Sequence, residues 1–459
     1  MIKLYNSLTK KDEELRPITP GLVKMYTCGL TVYSNPHIGN MRAYIFMDTL
    51  RRVIKYNGLN ILGVMNITDV GHLTSDSDSG DDKLEKAAKN QNKSPYEIAE
   101  YYTKLFFSDM EKLNIDIPEH ITKATEYIPQ MIEFIKKLEE NGYTYIIDDG
   151  VYFDVKKYEE YGQLSNKNME EVGVARVEEN TQKHHPYDFA LWKFVPESHI
   201  MKWDSPWGVG CPGWHIECST MSADILGDHF DIHTGGIDHL TIHHENEIAQ
   251  NYGAFGHKVV NMWVHNEFVL INGGKMGKSL NNFYTIDQLK EMGYNPLAFK
   301  FFCLNTNYSK KINFTFDGLK AAQISLNNLK KQLHEHKDAE YSASAEILAK
   351  YREDFLNAIN DNLNTPLAIG LLFSMIKNEQ KSKDIYALAL EFDKVFGLDL
   401  DKLEKENEED IPEEILELAK LRWNAKVNKN WADADKYRDE ILAKGYKILD
   451  SKDGYEIKR

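Results

Sequence analysis

Residues 25–40 read Met25-Tyr26-Thr27-Cys28-Gly29-Leu30-Thr31-Val32-Tyr33-Ser34-Asn35-Pro36-His37-Ile38-Gly39-Asn40, and this stretch decides the fold. The apolar run of Leu22, Val23 and Met25 predicts a short buried strand that ends at Cys28-Gly29. Pro36 to Asn40 then lead into a helix with Ile45, Phe46, Leu50, Val53 and Ile54 on its inner face. A strand, a tight turn and a helix N-terminus form a nucleotide-binding arrangement, because the helix end offers free backbone N–H groups and a positive dipole end to a phosphate. Gly39 leaves room for a base or ribose to approach the backbone, and His37 can donate a hydrogen bond to a phosphate oxygen. A lone histidine at a helix start is more often a cap or a packed residue, so this motif alone leaves both readings open.

The second half of the pattern lies far downstream. Lys275-Met276-Gly277-Lys278-Ser279 follows an apolar strand, Phe268 to Ile271, in a Gly-rich loop where two lysines can reach a polyphosphate tail; a solvated loop is the alternative. A Walker-type phosphate loop is excluded, because Asn272 stands where its first glycine is needed. A His-Ile-Gly motif at the first strand–helix junction with Lys-Met-x-Lys-Ser over two hundred residues later resembles the class I aminoacyl-tRNA synthetases. The resemblance implies a Rossmann-type parallel sheet, with ATP held by Pro36, His37, Ile38, Gly39, Asn40, Lys275, Met276, Gly277, Lys278 and Ser279. His37, Asn40, Lys275 and Lys278 are the expected catalytic groups.

Composition bounds the rest. The chain has 459 residues, 42% apolar and 27% charged, a length that suits about two to four domains. No long apolar run suggests a membrane span, and Lys3, Lys10 and Lys11 interrupt any apolar leader, so a cytoplasmic protein is expected. Four cysteines (Cys28, Cys211, Cys218, Cys303) cannot staple a chain of this length, which leaves their thiols for metal binding, catalysis or packing. The net charge of −16 argues against broad nucleic-acid affinity. Residues 420–459, however, carry 11 Lys or Arg against 7 Asp or Glu, enough for a local, selective RNA contact.

Taken in order, strands and helices alternate to about residue 112, with a second strand ending in Asn66-Ile67-Thr68-Asp69 and a polar loop between Val70 and Asp81. That loop is no calcium site, since its glycine and terminal acid fall at the wrong positions. A helix from Ile128 and a hairpin around Asp148-Asp149-Gly150 then read as an insertion. The α/β pattern resumes at Gly213 with a helix to Leu226, a strand near Phe230 to His233, a helix from about Leu240 to Tyr252 and a strand near Val259 to Val264. A helical bundle follows, with Leu319, Ala322, Ile324, Leu326 and Leu329 as an apolar face, then an acidic linker and a small terminal α+β module.

The densest polar stretch runs from Asp231 to Glu247. On a helix, His243 and Glu247 project from one face and can bind one metal ion. Cys28 and Cys218 are candidates for two further ligands; the alternative is a buried helical cysteine with locally bonded histidines. Among class I synthetases the chain is similar nearly end to end to the cysteinyl-tRNA synthetases, through Cys28-Gly29, Asn66 to Asp69, Asp188 to Lys193, Ser205 to Gly208, Pro212 to Ser219 and His243 to Glu247. That resemblance implies one Zn2+ held by Cys28, Cys218, His243 and Glu247, with Gly29, Thr68, Trp214 and His233 around the amino acid. Zinc would separate cysteine from serine by a bond to sulfur that a hydroxyl cannot match, so no editing domain is needed. Mg2+ accompanies ATP.

Three departures stand out: Asn40 replaces a second histidine, Gly277 replaces the usual serine, and the 71–80 loop separates motifs that often lie closer. At the C-terminus, Arg422 to Asp439 resembles the family's anticodon-binding module. Trp431 is then expected to stack on a base of tRNA(Cys) and Asp435 to accept from a base edge, while Lys426 stands where arginine is usual. A tryptophan packed in a small core is the alternative for Trp431. The expected division is 1–112 and 204–255 for the two halves of the nucleotide fold, the second half with the zinc site. The insertion takes 113–203, the lysine loop and stem-contact region 256–312, the bundle 313–405 and the anticodon module 406–459. A monomer is expected. Two other readings are a ligase joining cysteine to an amino sugar, disfavoured by residues 416–459, and a dead RNA-binding paralogue, disfavoured by the intact motifs.

Overall fold

The computed structural model describes residues 1–71, 82–166, 182–277, 282–403, 412–450 and 454–458. Lys278, Ser279, most of the polar loop after Gly71, most of the acidic linker and the expected turn residue Asp453 lie outside them. The chain forms two compact units, Met1–Asp401 and Lys402–Arg459.

The first unit is built on the strands and helices β1 (Leu22–Thr27), α1 (Ile38–Tyr56), β2 (Asn60–Ile67), β3 (His120–Lys123), α2 (Trp214–Leu226), β4 (Phe230–Gly236), α3 (His243–Phe255) and β5 (Val260–Asn266). The strands form one parallel sheet in the order β5-β4-β1-β2-β3. Strand order reverses between β1 and β4, which is where an open α/β sheet leaves a crevice at its carboxyl edge. Side chains alternate across a strand. Val23 and Met25 therefore join the core around α1, whereas Tyr26 and Cys28 join the core around α2 and α3. The same alternation sends Ile232 to the first core and Trp263 to the second.

Between the two halves of this sheet sits a four-stranded antiparallel sheet of Thr144–Ile147, Gly150–Phe153, Phe189–Phe194 and Gly210–Pro212. Its last strand runs directly into α2. Beyond β5 come β6 (Val269–Ile271), β7 (Gly274–Lys275) and β8 (Ile312–Phe314), with β6 between the other two. Helices Phe316–His334, Ala345–Asn360, Thr365–Asn378 and Lys383–Phe396 complete the unit. On the first of these Leu319, Ala322, Leu326, Leu329 and Leu333 are buried at alternating spacings of three and four. Ile324, expected on that face, is 53% exposed, because five residues from Leu319 carries it well around the helix. Among the described residues no helix is long and apolar enough to cross a membrane.

The second unit packs helices Glu413–Val427 and Trp431–Ala443 against an antiparallel pair, Lys447–Asp450 with Tyr455–Lys458. Its buried apolar core among the described residues is small: Ile415, Ala419, Ile441 and Tyr446. Arg422 makes up for part of this by donating two bonds to Asp450, at 2.6 and 2.9 Å. Those bonds, ahead of the cost of burial, hold the Asp450 carboxyl below the usual carboxylate range. A depressed folded-state value makes this pair stabilising above about pH 4 and progressively lost as pH falls below it. Asp450→Asn is expected to weaken the unit by about 1–2 kcal/mol, discounted for the partly exposed carboxylate. Hydrogen exchange of amides 413–450 at pH 7 reads this, and the gap between variant and parent should narrow progressively as pH falls below about 4.

Candidate active site and metal centre

Cys28 follows the last residue of β1, Cys218 lies on α2, and His243 and Glu247 occupy the first turns of α3. The expected helix over 240–252 is in fact two, Ile237–Leu240 and His243–Phe255, separated at Thr241 and Ile242. The break leaves His243 and Glu247 on one helix, four residues apart.

All four side chains are buried, and their donor atoms converge. Cys28 Sγ lies 3.9 Å from Cys218 Sγ and 4.0 Å from Glu247 Oε1. His243 Nε2 lies 3.4 Å from Cys218 Sγ and 3.1 Å from Glu247 Oε1. A tetrahedral zinc with ordinary bond lengths places two sulfurs about 3.8 Å apart and a nitrogen about 3.6 Å from a sulfur. The donor set and its spacing therefore fit such an ion.

The same four groups are strongly coupled electrostatically. Burial alone would raise the Glu247 carboxyl, but His233 and His243 outweigh it and hold it at about 2. Burial would likewise lower His243, yet Cys218 and Glu247 raise it to about 10. Between the thiols the proton stays on Cys28, whose burial pushes it well up. Cys218 is also buried, but the bond from Cys28 and the charge of His243 bring it down to about 7.

A second quartet overlaps the first: Cys28, His233, His244 and Glu247 also have donor atoms within 4.8 Å of one another. His244 Nε2 is 3.2 Å from Cys28 Sγ, and its Nδ1 is 2.8 Å from His265 Nε2. His243 is held in turn by His215, with the two Nδ1 atoms 2.9 Å apart, and by a stacked Trp214 ring at 4.4 Å. His233 Nε2 lies 2.9 Å from Glu247 Oε2, while its Nδ1 is buried with no hydrogen-bond partner among the described residues. Thr68 donates to Glu217 Oε2 at 2.7 Å, accepts from Asn66 Nδ2, and Asn66 Oδ1 accepts from Gly29 N at 2.7 Å. The four residues expected around the amino acid thus each adjoin or contact this group or its neighbours.

His215, His244 and His265 are parts of the site that sequence reasoning missed. His244 stands inside the polar stretch from Asp231 to Glu247, and His265 shares the strand parity of Trp263, whose ring stacks on His233 at 4.5 Å. Either signal was available.

At the nucleotide end the structure corrects one expectation. His37 caps α1 by accepting from Asn40 N at 3.2 Å, and Asn40 Oδ1 accepts from His37 N at 3.2 Å. Ile38 N donates to Tyr284 O at 2.9 Å. Most of the first-turn N–H groups are therefore in use rather than free, with the Gly39 N–H remaining among the described residues. The cap has a second effect. With Nδ1 as acceptor, a neutral His37 carries its proton on Nε2, which suits a donor to phosphate. The lysine loop comes close: a Cβ placed on Gly39 would lie 2.6 Å from Met276 Cε. Lys275 ends β7, and Gly277 N donates to Asn282 Oδ1 at 2.8 Å. Pro36 immediately precedes His37.

In the second unit Trp431 is 60% exposed, which removes the packed-core alternative. Asp435 pairs with Arg438 at 3.0 Å, and Lys426 pairs with Asp450 at 2.8 Å while lying over the Trp423 ring.

Comparison with known proteins follows the same lines. A family described as "tRNA synthetases class I (C) catalytic domain" matches residues 14–324. A cysteine--tRNA ligase of Treponema denticola is 41% identical over 98% of this chain and 98% of its own. Cysteine--tRNA ligase 1 of Burkholderia lata is 39% identical over 99% of this chain and 96% of its own. Among solved structures, a LeuRS–tRNA–LeuAMS ternary complex of Agrobacterium radiobacter matches with a TM-score of 0.61 at 11% identity, covering 84% of each chain. A methionyl-tRNA synthetase of Mycobacterium tuberculosis with methionyl-adenylate matches with a TM-score of 0.57 at 13% identity, covering 82% of this chain and 90% of its own. At such identities these structures speak for the fold alone. With full-length relatives near two-fifths identity and a catalytic-domain match across most of the first unit, the chain belongs to the cysteine--tRNA ligase family of class I aminoacyl-tRNA synthetases.

Proposed function

We propose that this chain activates L-cysteine with ATP and transfers it to tRNA(Cys). The observation that carries the reading is the buried Cys28–Cys218–His243–Glu247 group at the carboxyl edge of the sheet, in a chain of this family. A cysteine carboxylate oxygen attacks the α-phosphorus of ATP; the bond to the bridging oxygen breaks, giving cysteinyl-adenylate and pyrophosphate. The adenylate then passes its acyl group to the terminal adenosine of the tRNA, releasing AMP.

His37, through Nε2–H, and the start of α1 with Asn40 are assigned to the α-phosphate. Lys275 and Lys278 are assigned to the departing pyrophosphate, which Mg2+ accompanies. Pro36, Ile38, Gly39, Met276, Gly277 and Ser279 shape the nucleotide pocket. Cys28, Cys218, His243 and Glu247 would hold Zn2+, which supplies a sulfur-seeking Lewis acid able to prefer a thiol to a hydroxyl. Gly29, Thr68, Trp214 and His233 surround the amino acid. Lys426, Trp431 and Asp435 are assigned to the anticodon, and the protein acts as a cytoplasmic monomer. The chain divides into the six segments read from its sequence.

The test is transfer of labelled cysteine to acid-precipitable RNA with ATP, Mg2+ and total bacterial tRNA, with AMP followed in the same tube. Labelled RNA supports the reading. AMP release without labelled RNA points to another acceptor and would overturn the transfer step.

A further inference from the structure

Arg42 lies one turn into α1, 3% exposed, and its guanidinium is spent on backbone carbonyls. It donates to Phe268 O and Lys310 O, and to Tyr308 O at 3.4 Å. Among the described residues no carboxylate pairs with it. Glu267 acts on it only through space, and a buried cation with no carboxylate in direct contact is costly, so a plain packing role would be better filled by methionine or leucine.

The carbonyls it binds are not arbitrary ones. Phe268 O also accepts from Ile312 N at 3.1 Å, and Tyr308 O from Glu267 N at 2.9 Å. Those two bonds clamp the start of β6 to the start of β8, whose parallel register pairs Val269 with Ile312. Strand β6 turns into β7, where Leu270 stands opposite Lys275. Arg42 therefore grips the entry of the segment that carries the lysine motif. The exit is held by the same end of α1, through Ile38 N to Tyr284 O at 2.9 Å. Between these anchors Met276 meets Gly39. A stacked pair, Phe46 on Tyr308 at 4.5 Å, adds a further tie.

We propose that Arg42 is a positioning residue for adenylate formation: it fixes the lysine-bearing segment against the helix end that carries His37. The two motifs serve opposite ends of one triphosphate, so their separation matters most when the α–β bridging bond is breaking and charge moves toward the pyrophosphate. Lysine cannot replace the fork, since a single ammonium reaches fewer of three divergent carbonyls. This inference rests on the proposed cysteine activation, and its test includes a readout that does not.

In Arg42→Lys, kcat for cysteine-dependent ATP–pyrophosphate exchange should fall 10- to 100-fold, with KM for cysteine within threefold and bound zinc unchanged. Arg42→Met, which keeps the volume, should fall at least as far. Independently of any activity, hydrogen exchange in Arg42→Lys should quicken tenfold or more at 269–277 and 312–314 while β1, β2 and β4 keep parental protection. Unchanged exchange in 269–277, or a folded variant with kcat within twofold of the parent, overturns the proposal. Loss of zinc and of cysteine binding in parallel with kcat also overturns it, because that is the signature of a general structural role. If the parent itself shows no cysteine-dependent exchange, the functional reading fails, and the hydrogen-exchange comparison still decides the role of Arg42.

Discussion

Cys218→Ser and His243→Ala are each expected to lose bound zinc and to lower kcat/KM for cysteine activation at least a hundredfold, about 2.7 kcal/mol of transition-state stabilisation. The contrast variant is His244→Ala. Two overlapping quartets converge on Cys28 and Glu247, and geometry alone admits both. Donor chemistry separates them. The quartet with Cys218 and His243 has two sulfurs, and zinc among first-row ions favours thiolate and imidazole together. Cys218 is also the thiol that burial and its neighbours leave near 7, ready to give up its proton, while the histidine beside it offers Nε2 to both Cys218 and Glu247. His244→Ala should therefore retain the metal, with a loss confined to the catalytic rates. Zinc measured by mass spectrometry on folded, purified variants decides it. Metal kept in Cys218→Ser and His243→Ala but lost in His244→Ala would move the site to the second quartet. Because a thiol and an imidazolium must shed protons before they ligate, zinc affinity should rise with pH through neutrality, with protons released on binding.

How far the sequence reaches can be read from particular residues. The β1–α1 junction is legible because strand alternation and helical spacing are both strong there: Val23 and Met25 turn to one core, and Ile45, Leu50, Val53 and Ile54 follow the helical repeat into it. The i, i+4 pair of His243 and Glu247 is legible for the same reason, although the helix starts three residues late. The bond of Cys218 to that pair is not, since nothing local sets which face of α2 meets α3. The helix end shows a different failure. Asn40 reads as a lost histidine, whereas in the fold it is the N3 partner of a capping box with His37. The two N–H groups thereby lost to a phosphate, those of Ile38 and Asn40, are taken by tertiary contact with Tyr284 and by a side-chain geometry that no spacing predicts. Arg42 is likewise invisible, because its partners are carbonyls over two hundred residues away.

Gly29→Ala should be among the most damaging single substitutions outside the metal ligands. A Cβ at that position would lie 1.5 Å from the carbonyl oxygen of Asn66 and 2.5 Å from its carbon, both backbone atoms near the end of β2. No rotamer relieves that contact. The ends of β1 and β2 must separate, and Gly29 N must let go of Asn66 Oδ1, the atom that holds Asn66 beside Thr68. Cys28 is the adjacent residue, so the displacement reaches the metal group directly. A misplacement of about 1 Å at a reacting centre is enough to cost about a hundredfold in rate. Cysteine activation should fall by that factor or more, and unfolding stability by about 2–4 kcal/mol, the range for forcing atoms into a packed interior or losing a buried polar contact. Gly370→Ala is the control, because nothing lies within 4 Å of its Cβ and it sits in the Thr365–Asn378 helix. Replacing that helical glycine should instead stabilise the protein by about 0.5–1 kcal/mol. A Gly29→Ala enzyme with parental activity and full zinc content would mean that the β1–β2 edge yields freely, and that the close approach of these two strands does not set the position of Cys28.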